Sequence, residues 1–190
     1  MVRNRDAREL EEVLLRDREW LQPWEATLPG GEGRWDVRAG IRGLLDLASQ
    51  AAALPFLMTI DGAIVGQLTV SNIQYGAVMS ASIGYWVSKD IAGRGITPRA
   101  VALATDYCFR SMGLHRIEIC IRPENAASLR VVEKLGFRYE GHRKRYIHIN
   151  GEWRDHHCFA LVAEEVPQGV LARWRAGEVD ETVARTRPIE

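Results

Sequence analysis

Cysteine is scarce in this sequence, which has three in 190 residues: Cys108, Cys120 and Cys158. The three are widely spaced, form no CxxC pair and stand in no zinc-ligand pattern, which argues against a disulfide framework and a structural zinc site. We therefore expect three reduced, mostly buried thiols in a cytoplasmic protein, and no metal ion.

Long hydrophobic runs and an excess of charge are also absent. No apolar run reaches the roughly 18 residues of a membrane span, and the first dozen residues contain no apolar segment, so neither a span nor a signal peptide is predicted. Lys+Arg and Asp+Glu both number 25, giving a formal net charge of zero. Without an overall basic field we expect no nucleic acid and no membrane as partner, and any charged ligand must be bound locally.

The hydrophobic pattern predicts one α/β domain. Apolar residues recur at helical spacing over 7–21 and 37–52, on either side of a break at 29–33, after which the period changes to two. The later elements are a hairpin (56–60 and 64–70), a strand (78–88), a helix (97–112) capped by Thr97, a strand (116–122), a helix (125–135) ended by Gly136 and a hairpin (139–149 and 152–162) turning at Asn150-Gly151. This order of elements predicts one mixed sheet with helices packed on both faces. We take 1–164 as the domain and 165–190 as a helix (167–176) with a mobile tail.

The segment Gly93-Arg94-Gly95 joins a predicted strand to a predicted helix. Amide groups at a helix start lack internal partners, and glycines let a phosphate approach them, so this turn is a candidate phosphate site. A simple tight turn remains the alternative. No Gly-Lys-Ser/Thr sequence is present and Pro98 stands where a dinucleotide fingerprint needs its third glycine, which argues against both of those phosphate loops.

Six short segments give the sequence a more specific pattern. They are Tyr85-Trp86-Val87-Ser88, Gly93-Arg94-Gly95, His115-Arg116-Ile117-Glu118, Arg122-Pro123-Glu124-Asn125-Ala126-Ala127-Ser128, Glu133-Lys134-Leu135-Gly136-Phe137 and Glu140-Gly141. Together they resemble the GNAT acetyltransferases. The segments at 20–24 and 150–156 further resemble the RimJ/RimL type, which acetylates protein N-termini. The resemblance covers about residues 6–163.

This resemblance implies a GNAT fold: a mixed, mostly antiparallel twisted sheet, splayed between the strands ending near Val87 and Arg122. It also implies bound acetyl-CoA. The pyrophosphate would lie on the amides of the loop and first helical turn, and the pantetheine arm along the strand ending at Trp86 and Val87. Asn125 and Ser128 would lie near the thiol. The cofactor residues of the loop are Ala92, Gly93, Arg94, Gly95, Ile96 and Thr97.

The sequence departs from the family pattern in three places. Asp90 stands where the family's loop usually begins with Gln or Arg, so we expect it to point away from the cofactor. Val132 replaces a tyrosine that serves as general acid in many relatives; Ser128 can instead offer a hydrogen bond to the leaving thiolate. Only residues 2–5 precede the first predicted helix, so the family's first strand is either very short or missing from this chain.

The general base is the least defined catalytic group. Glu118 is our candidate, with a surface ion pair to Arg116 or Arg143 as the alternative; Glu25, Asp155 and His156 are further candidates. On the acceptor side we expect Trp24, Glu25 and Tyr85, although both aromatics also suit core positions. The function we infer is transfer of acetyl to a protein N-terminal amine, by a monomer or homodimer. A small-molecule amine as acceptor, or a non-catalytic acyl-CoA sensor, are the alternatives.

Overall fold

The computed structural model describes residues 1–30 and 36–186, which form six α-helices and one six-stranded sheet. The helices are α1 (Ala7–Arg16), α2 (Arg18–Leu21), α3 (Val37–Ser49), α4 (Ile96–Arg110), α5 (Ala126–Leu135) and α6 (Val170–Ala176). The strands are β1 (Leu54–Ile60), β2 (Ala63–Gln74), β3 (Ser80–Val87), β4 (Arg116–Ile121), β5 (Arg138–Ile149) and β6 (Glu152–Val162). This order confirms the predicted α/β fold. Residues 31–33 of the predicted break lie outside the described residues.

The strands lie side by side in the order β1-β2-β3-β4-β6-β5. All neighbours are antiparallel except β3 and β4, which are parallel and joined through α4. Those two strands pair only at their first residues, 80–82 with 116–118. Beyond these residues β3 continues to Val87 and β4 to Ile121 without pairing with each other, so a wedge-shaped gap opens between the two strands. The expected splay is therefore present.

Two hydrophobic cores cover opposite faces of the sheet. The larger joins α4, α5 and α6 to the central strands and includes Val101, Ile117, Leu135 and Phe159. The smaller lies under α1 and α3, around Leu10 and Ile41. Because α1 and α3 reach only β1, β2 and the end of β3, the same face of β4 and β6 carries polar side chains, among them Glu118 and His156.

Three local features differ from the sequence-based expectations. The helix predicted over 7–21 is interrupted at Asp17, whose buried carboxylate accepts a 2.5 Å hydrogen bond from the Ser88 hydroxyl at the end of β3. Gly95, with φ +77°, is the N-cap of α4, and Thr97 lies inside the helix. Within the described part of the chain no strand precedes α1; the main chain there makes one bond to the sheet, from Val2 N to Pro55 O (2.9 Å).

The segment after β6 packs against the domain as far as it is described. Helix α6 begins where the Asp106 carboxylate of α4 accepts bonds from the amides of Val170 (2.6 Å) and Leu171 (3.1 Å). Val170 and Ala184 are buried in the larger core. None of the helices in residues 1–30 and 36–186 is long and apolar enough to cross a membrane.

Candidate active site

A cavity of about 650 Å³ lies along the end of β3 that has no β4 neighbour. Its lining comes from the segment 14–26, from β2, from the end of β3, from the loop into α4 and from one side of α5. A second cavity of about 210 Å³ continues between the same two strands and shares Trp24, Gly84, Tyr85, Asn125 and Ser128 with the first. The two cavities therefore reach the residues that they share from two sides.

One end of the larger cavity is formed by the glycine loop. Gly93 (φ +81°) and Gly95 (φ +77°) adopt left-handed conformations, and a Cβ built on either would meet no atom within 4 Å. Because Gly95 provides no side-chain cap to α4, the first amides of the helix have no intrahelical or capping partner. These amides and the helix dipole favour an anion at this end of the cavity.

The structure brings most of the predicted loop residues to this cavity. Those that line it are Ala92, Gly93, Gly95, Ile96 and Thr97. Arg94 is exposed and does not line it. Asp90 is exposed and also lies outside the lining, as expected for an acid beside an anion site.

The end of β3 forms the middle of the cavity wall through Trp86 and Val87. Since this part of β3 lacks a β4 neighbour, its inward main-chain edge faces the wedge. The indole Nε1 of Trp20 donates to the Val87 carbonyl at 3.0 Å, which links the helical segment near residue 20 to this strand. An extended ligand therefore finds one open strand edge here, in keeping with the predicted place of a pantetheine arm.

Asn125 and Ser128 lie at the start of α5, directly across the wedge from β3. The Asn125 side chain caps the helix by accepting from Ser128 N at 3.1 Å. The Ser128 hydroxyl in turn donates to the Tyr85 hydroxyl at 3.2 Å. Burial raises the pKa of Tyr85, so its phenol stays protonated. The site thus holds two coupled hydroxyl groups, whereas Val132 is fully buried in the core.

Trp24 and Glu25 wall the opposite side of the cavity. Their segment is attached to the closing hairpin through a bridge between Ala26 and Ile149 and a bond from Asn150 N to Glu25 O (3.2 Å). Arg122 stacks over the Trp24 ring at 5.3 Å. The Glu25 carboxylate accepts a hydrogen bond from Arg18, so the negative charge of Glu25 and the positive charge of Arg18 partly neutralise each other.

Glu118 is not brought to either cavity. Arg143 binds its two oxygens at 2.9 and 3.1 Å, and Arg116 donates to it at 3.2 Å. The structure therefore places Glu118 in the ion-pair arrangement that the sequence left open as the alternative. Both carboxylate oxygens of Glu118 are therefore occupied by guanidinium donors.

Cys120 and Cys158 face each other beside Glu118. They are directly opposed on β4 and β6, with their sulfur atoms 3.0 Å apart. Both are free thiols, as is the buried Cys108. The hydrogen bond from Cys120 lowers the pKa of Cys158. We assign no metal to this cluster, since Arg143 covers both oxygens of Glu118.

Several lining residues were not identified from the sequence. They are Gln67, Thr69 and Ser71 on β2, and Arg130 and Lys134 on α5, whereas His156 on β6, one of the candidate bases, lines the smaller cavity. The alternation on β2 and the four-residue spacing on α5 each predict a shared face. Neither pattern says that this face borders a cavity, because that depends on which elements pack together.

Comparison with known proteins gives consistent matches. A family model described as an acetyltransferase (GNAT) domain matches residues 1–138. The ribosomal protein uS5-alanine N-acetyltransferase of Escherichia coli (strain K12) is 30% identical over 177 residues, 89% of each chain. The probable N-acetyltransferase YjcK of Bacillus subtilis (strain 168) is 41% identical over 102 residues, but the match covers 54% of this chain and 56% of that protein.

Among solved structures, Mycobacterium smegmatis RimJ in complex with CoA-disulfide is 42% identical, with a TM-score of 0.86 over 93% of this chain and 87% of that one. The family model covers most of the chain, including the strand, the glycine loop and the asparagine-capped helix that border the wedge. The chain therefore belongs to the GNAT acetyltransferase family, and its fold and enzyme class are those of an N-acetyltransferase.

Proposed function

We propose that the protein transfers the acetyl group of acetyl-CoA to the N-terminal α-amine of a protein, with a ribosomal protein as the acceptor class. The relative acting on uS5 and the structural similarity to RimJ support this choice. Such an acceptor would place the activity in the cytoplasm.

The observation that carries the proposal is the continuity of the two cavities through the wedge. The larger one begins at the glycine loop, where an anion is favoured, and reaches the wall formed by Trp24 and Glu25. The smaller one joins it at Tyr85 and Ser128. A thioester entering from the loop side and an amine entering from the other side would meet at these hydroxyls.

The residues around the loop fit the acetyl-CoA diphosphate. The amides of Gly95, Ile96 and Thr97 offer donors at the start of α4, and Arg130 and Lys134 add positive charge to the same cavity. The main chain at the end of β3, which has no β4 neighbour there, offers hydrogen-bonding groups to the amides of the pantetheine arm, although the Val87 carbonyl already accepts from Trp20.

The paired hydroxyls of Tyr85 and Ser128 suit the departing sulfur. A thiol has a pKa of about 8.5, so a thiolate leaves readily and needs at most a hydrogen bond. The protonated Tyr85 phenol and the Ser128 hydroxyl can supply that bond. In many relatives this hydrogen bond comes from a tyrosine at the position of Val132; here Tyr85 and Ser128 would supply it.

An α-amine is favoured over a lysine or a polyamine as acceptor. At pH 7 an α-amine with a pKa of about 8 costs about 1.4 kcal/mol to deprotonate, against about 4.6 for a lysine. Among the described lining residues, Glu25 is the one carboxylate, and it is paired with Arg18; of the cationic residues, Arg122 and Arg130 are paired with carboxylates outside the lining, and Lys134 adds positive charge. This charge balance disfavours a polycation.

The test is an assay of thiol release from acetyl-CoA with peptides beginning in alanine, serine or methionine, compared with spermidine and an amino sugar. We expect turnover with the peptides, none with the same peptides blocked at the α-amine, and a mass spectrum that places the acetyl group on the N-terminal residue.

Turnover with the amino sugar or spermidine alone would replace the protein acceptor by a small molecule. Binding of acetyl-CoA in calorimetry without turnover on any amine would instead favour the acyl-CoA sensor.

A further inference from the structure

The smaller cavity contains a histidine in a position suited to proton transfer. Its lining includes Tyr85 and Ser128, which it shares with the larger cavity, together with Arg122, Cys120 and His156. Among the described residues that line it there is no carboxylate. An amine passing through this cavity therefore meets one side chain able to accept a proton near neutral pH, the imidazole of His156.

The hydrogen bonding of His156 defines which ring nitrogen carries the proton. Its Nδ1 lies 3.0 Å from the carbonyl oxygen of Arg154. A carbonyl oxygen can only accept, so Nδ1 donates, and in the neutral ring Nε2 keeps its lone pair. The side chain is buried, and its ring packs edge-on against Tyr146 at 5.9 Å between centroids.

The surroundings of the ring keep it neutral. The charged or titratable groups that face it are Arg122 and Glu124 after β4, Cys120 on β4, Arg143 and Tyr146 on β5, and Arg154, Asp155 and Cys158 on its own strand. Burial has the largest effect and lowers the pKa of His156; the hydrogen bond to the Arg154 carbonyl raises it, Arg122 lowers it, and Asp155 and Glu124 raise it by smaller amounts. At pH 7 the imidazole is therefore available as a base.

The other candidate bases are engaged elsewhere. Glu118 is held by Arg143 and Arg116 and lines neither cavity. Asp155 accepts from Arg145 N at 2.7 Å and lies 3.1 Å from His142 Nε2. Glu25 lines the larger cavity but is paired with Arg18.

We propose that His156 is a catalytic residue whose Nε2 accepts a proton from the acceptor ammonium group. This inference rests on the proposed acetyl transfer to an α-amine. The imidazole takes one proton and becomes imidazolium, and the freed amine lone pair forms the C–N bond to the thioester carbonyl carbon. The C–S bond breaks, and the second proton of the attacking nitrogen neutralises the departing thiolate. His156 then returns its proton to solvent, so ammonium and thioester give amide, thiol and one proton.

The test compares His156→Gln with His157→Gln as a matched control. His157 is also buried and adjacent in sequence, but it lies on the opposite face, packed against Tyr139 and Phe159, and lines neither cavity. With an N-terminal peptide at pH 7 we expect His156→Gln to lower kcat about 100-fold, since general base catalysis contributes about 10²–10⁴-fold. The KM for acetyl-CoA should not change, and His157→Gln should keep wild-type kcat.

The pH profile separates a base from a structural role. Wild-type kcat should fall as pH drops through a pKa below 6.5, and His156→Gln should lose this acid limb. The variant should recover above about pH 8, where the amine loses its proton unaided, so the gap to wild type narrows there. A Glu118→Gln variant should retain the acid limb.

The outcomes distinguish this inference from the proposed function. If the wild type acetylates no peptide, the proposed function fails. If it does so and His156→Gln keeps both its kcat and its acid limb, His156 is not the base. Should His156→Gln fail to fold, NMR titration of the wild-type His156 ring decides: a midpoint that differs from the kinetic acid limb overturns the inference.

Discussion

Gly93 and Gly95 give the loop before α4 its path, because both have φ values near +80°. An L-residue in this conformation is strained by about 1–2 kcal/mol, although at both positions a Cβ would meet open space. Substitutions here should therefore be tolerated by the fold, while their side chains would project into the region that the diphosphate would occupy.

Gly93→Glu should weaken acetyl-CoA binding at least tenfold, since a carboxylate would oppose the diphosphate beside the first amides of α4. Gly113→Glu is the matched control, because Gly113 has φ +68°, the same open space, and no place in either cavity. Thermal melts should show a similar loss of stability in both variants. Calorimetry that finds equal affinity for the two would remove the loop from the binding site.

Of the residues that the sequence motifs singled out, the predicted cofactor residues have a more local geometry than the predicted base. Gly93, Gly95 and Asn125 act through the backbone geometry of their own segment, which short motifs encode. The environment of Glu118 depends instead on Arg143, 25 positions away on another strand. That contact is set by strand register and by the irregular pairing of β5 with β6 between Arg143 and Ile147, which a single sequence does not reveal.

Helix α5 is tied to the active site through its own N-cap. Asn125 accepts from Ser128 N, and both residues border the two cavities. The capping bond therefore also fixes the position of the Ser128 hydroxyl relative to Tyr85.

Asn125→Ala should lower the free energy of unfolding by about 1 kcal/mol, as loss of an N-cap typically does. Asn125→Asp should restore most of it, because aspartate caps equally well and suits the positive end of the helix dipole. Urea denaturation measures both. If alanine and aspartate are equally stable, the cap does not stabilise α5.

At the element scale the sequence predicted the order of all six strands and five of the six helices. The Asn150-Gly151 turn was predicted from local chemistry and has the expected positive φ values of 46° and 89°. The interruption of the first helix was missed, because Asp17 is an acceptable helical residue by propensity. At this break the Asp17 carboxylate accepts from Ser88, 71 positions away, a tertiary contact that helical propensity does not report.

The molecule as a whole buries two adjacent histidines, His156 and His157, on opposite faces of β6. Burial lowers the pKa of each from 6.5. In the unfolded chain both take up a proton near pH 6.5, whereas in the folded protein they do so only at lower pH. Between pH 7 and 5.5 the unfolded state therefore binds more protons, and folding stability falls as the pH falls.

We expect the urea midpoint to decrease from pH 7 to pH 5.5, with each histidine contributing at most about 1.4 kcal/mol per pH unit. Carboxylates usually titrate below the range of pH 5.5 to 7. His157→Gln should remove about half of the pH dependence. A midpoint that stays constant between the two pH values would show that both rings are protonated as easily in the folded state as in the unfolded chain.

The end of β3 borders the larger cavity and has no β4 neighbour, whereas the wall across from it comes from Trp24, Glu25 and Ala26, whose segment is bridged to the closing hairpin at Ile149. Under the proposed function, donor recognition at main-chain groups would tolerate sequence drift, and the choice of acceptor would lie with these two neighbouring segments. Evolution or a protein engineer could then exchange the two segments together to change the amine that is accepted, while the acetyl-CoA site stays unchanged.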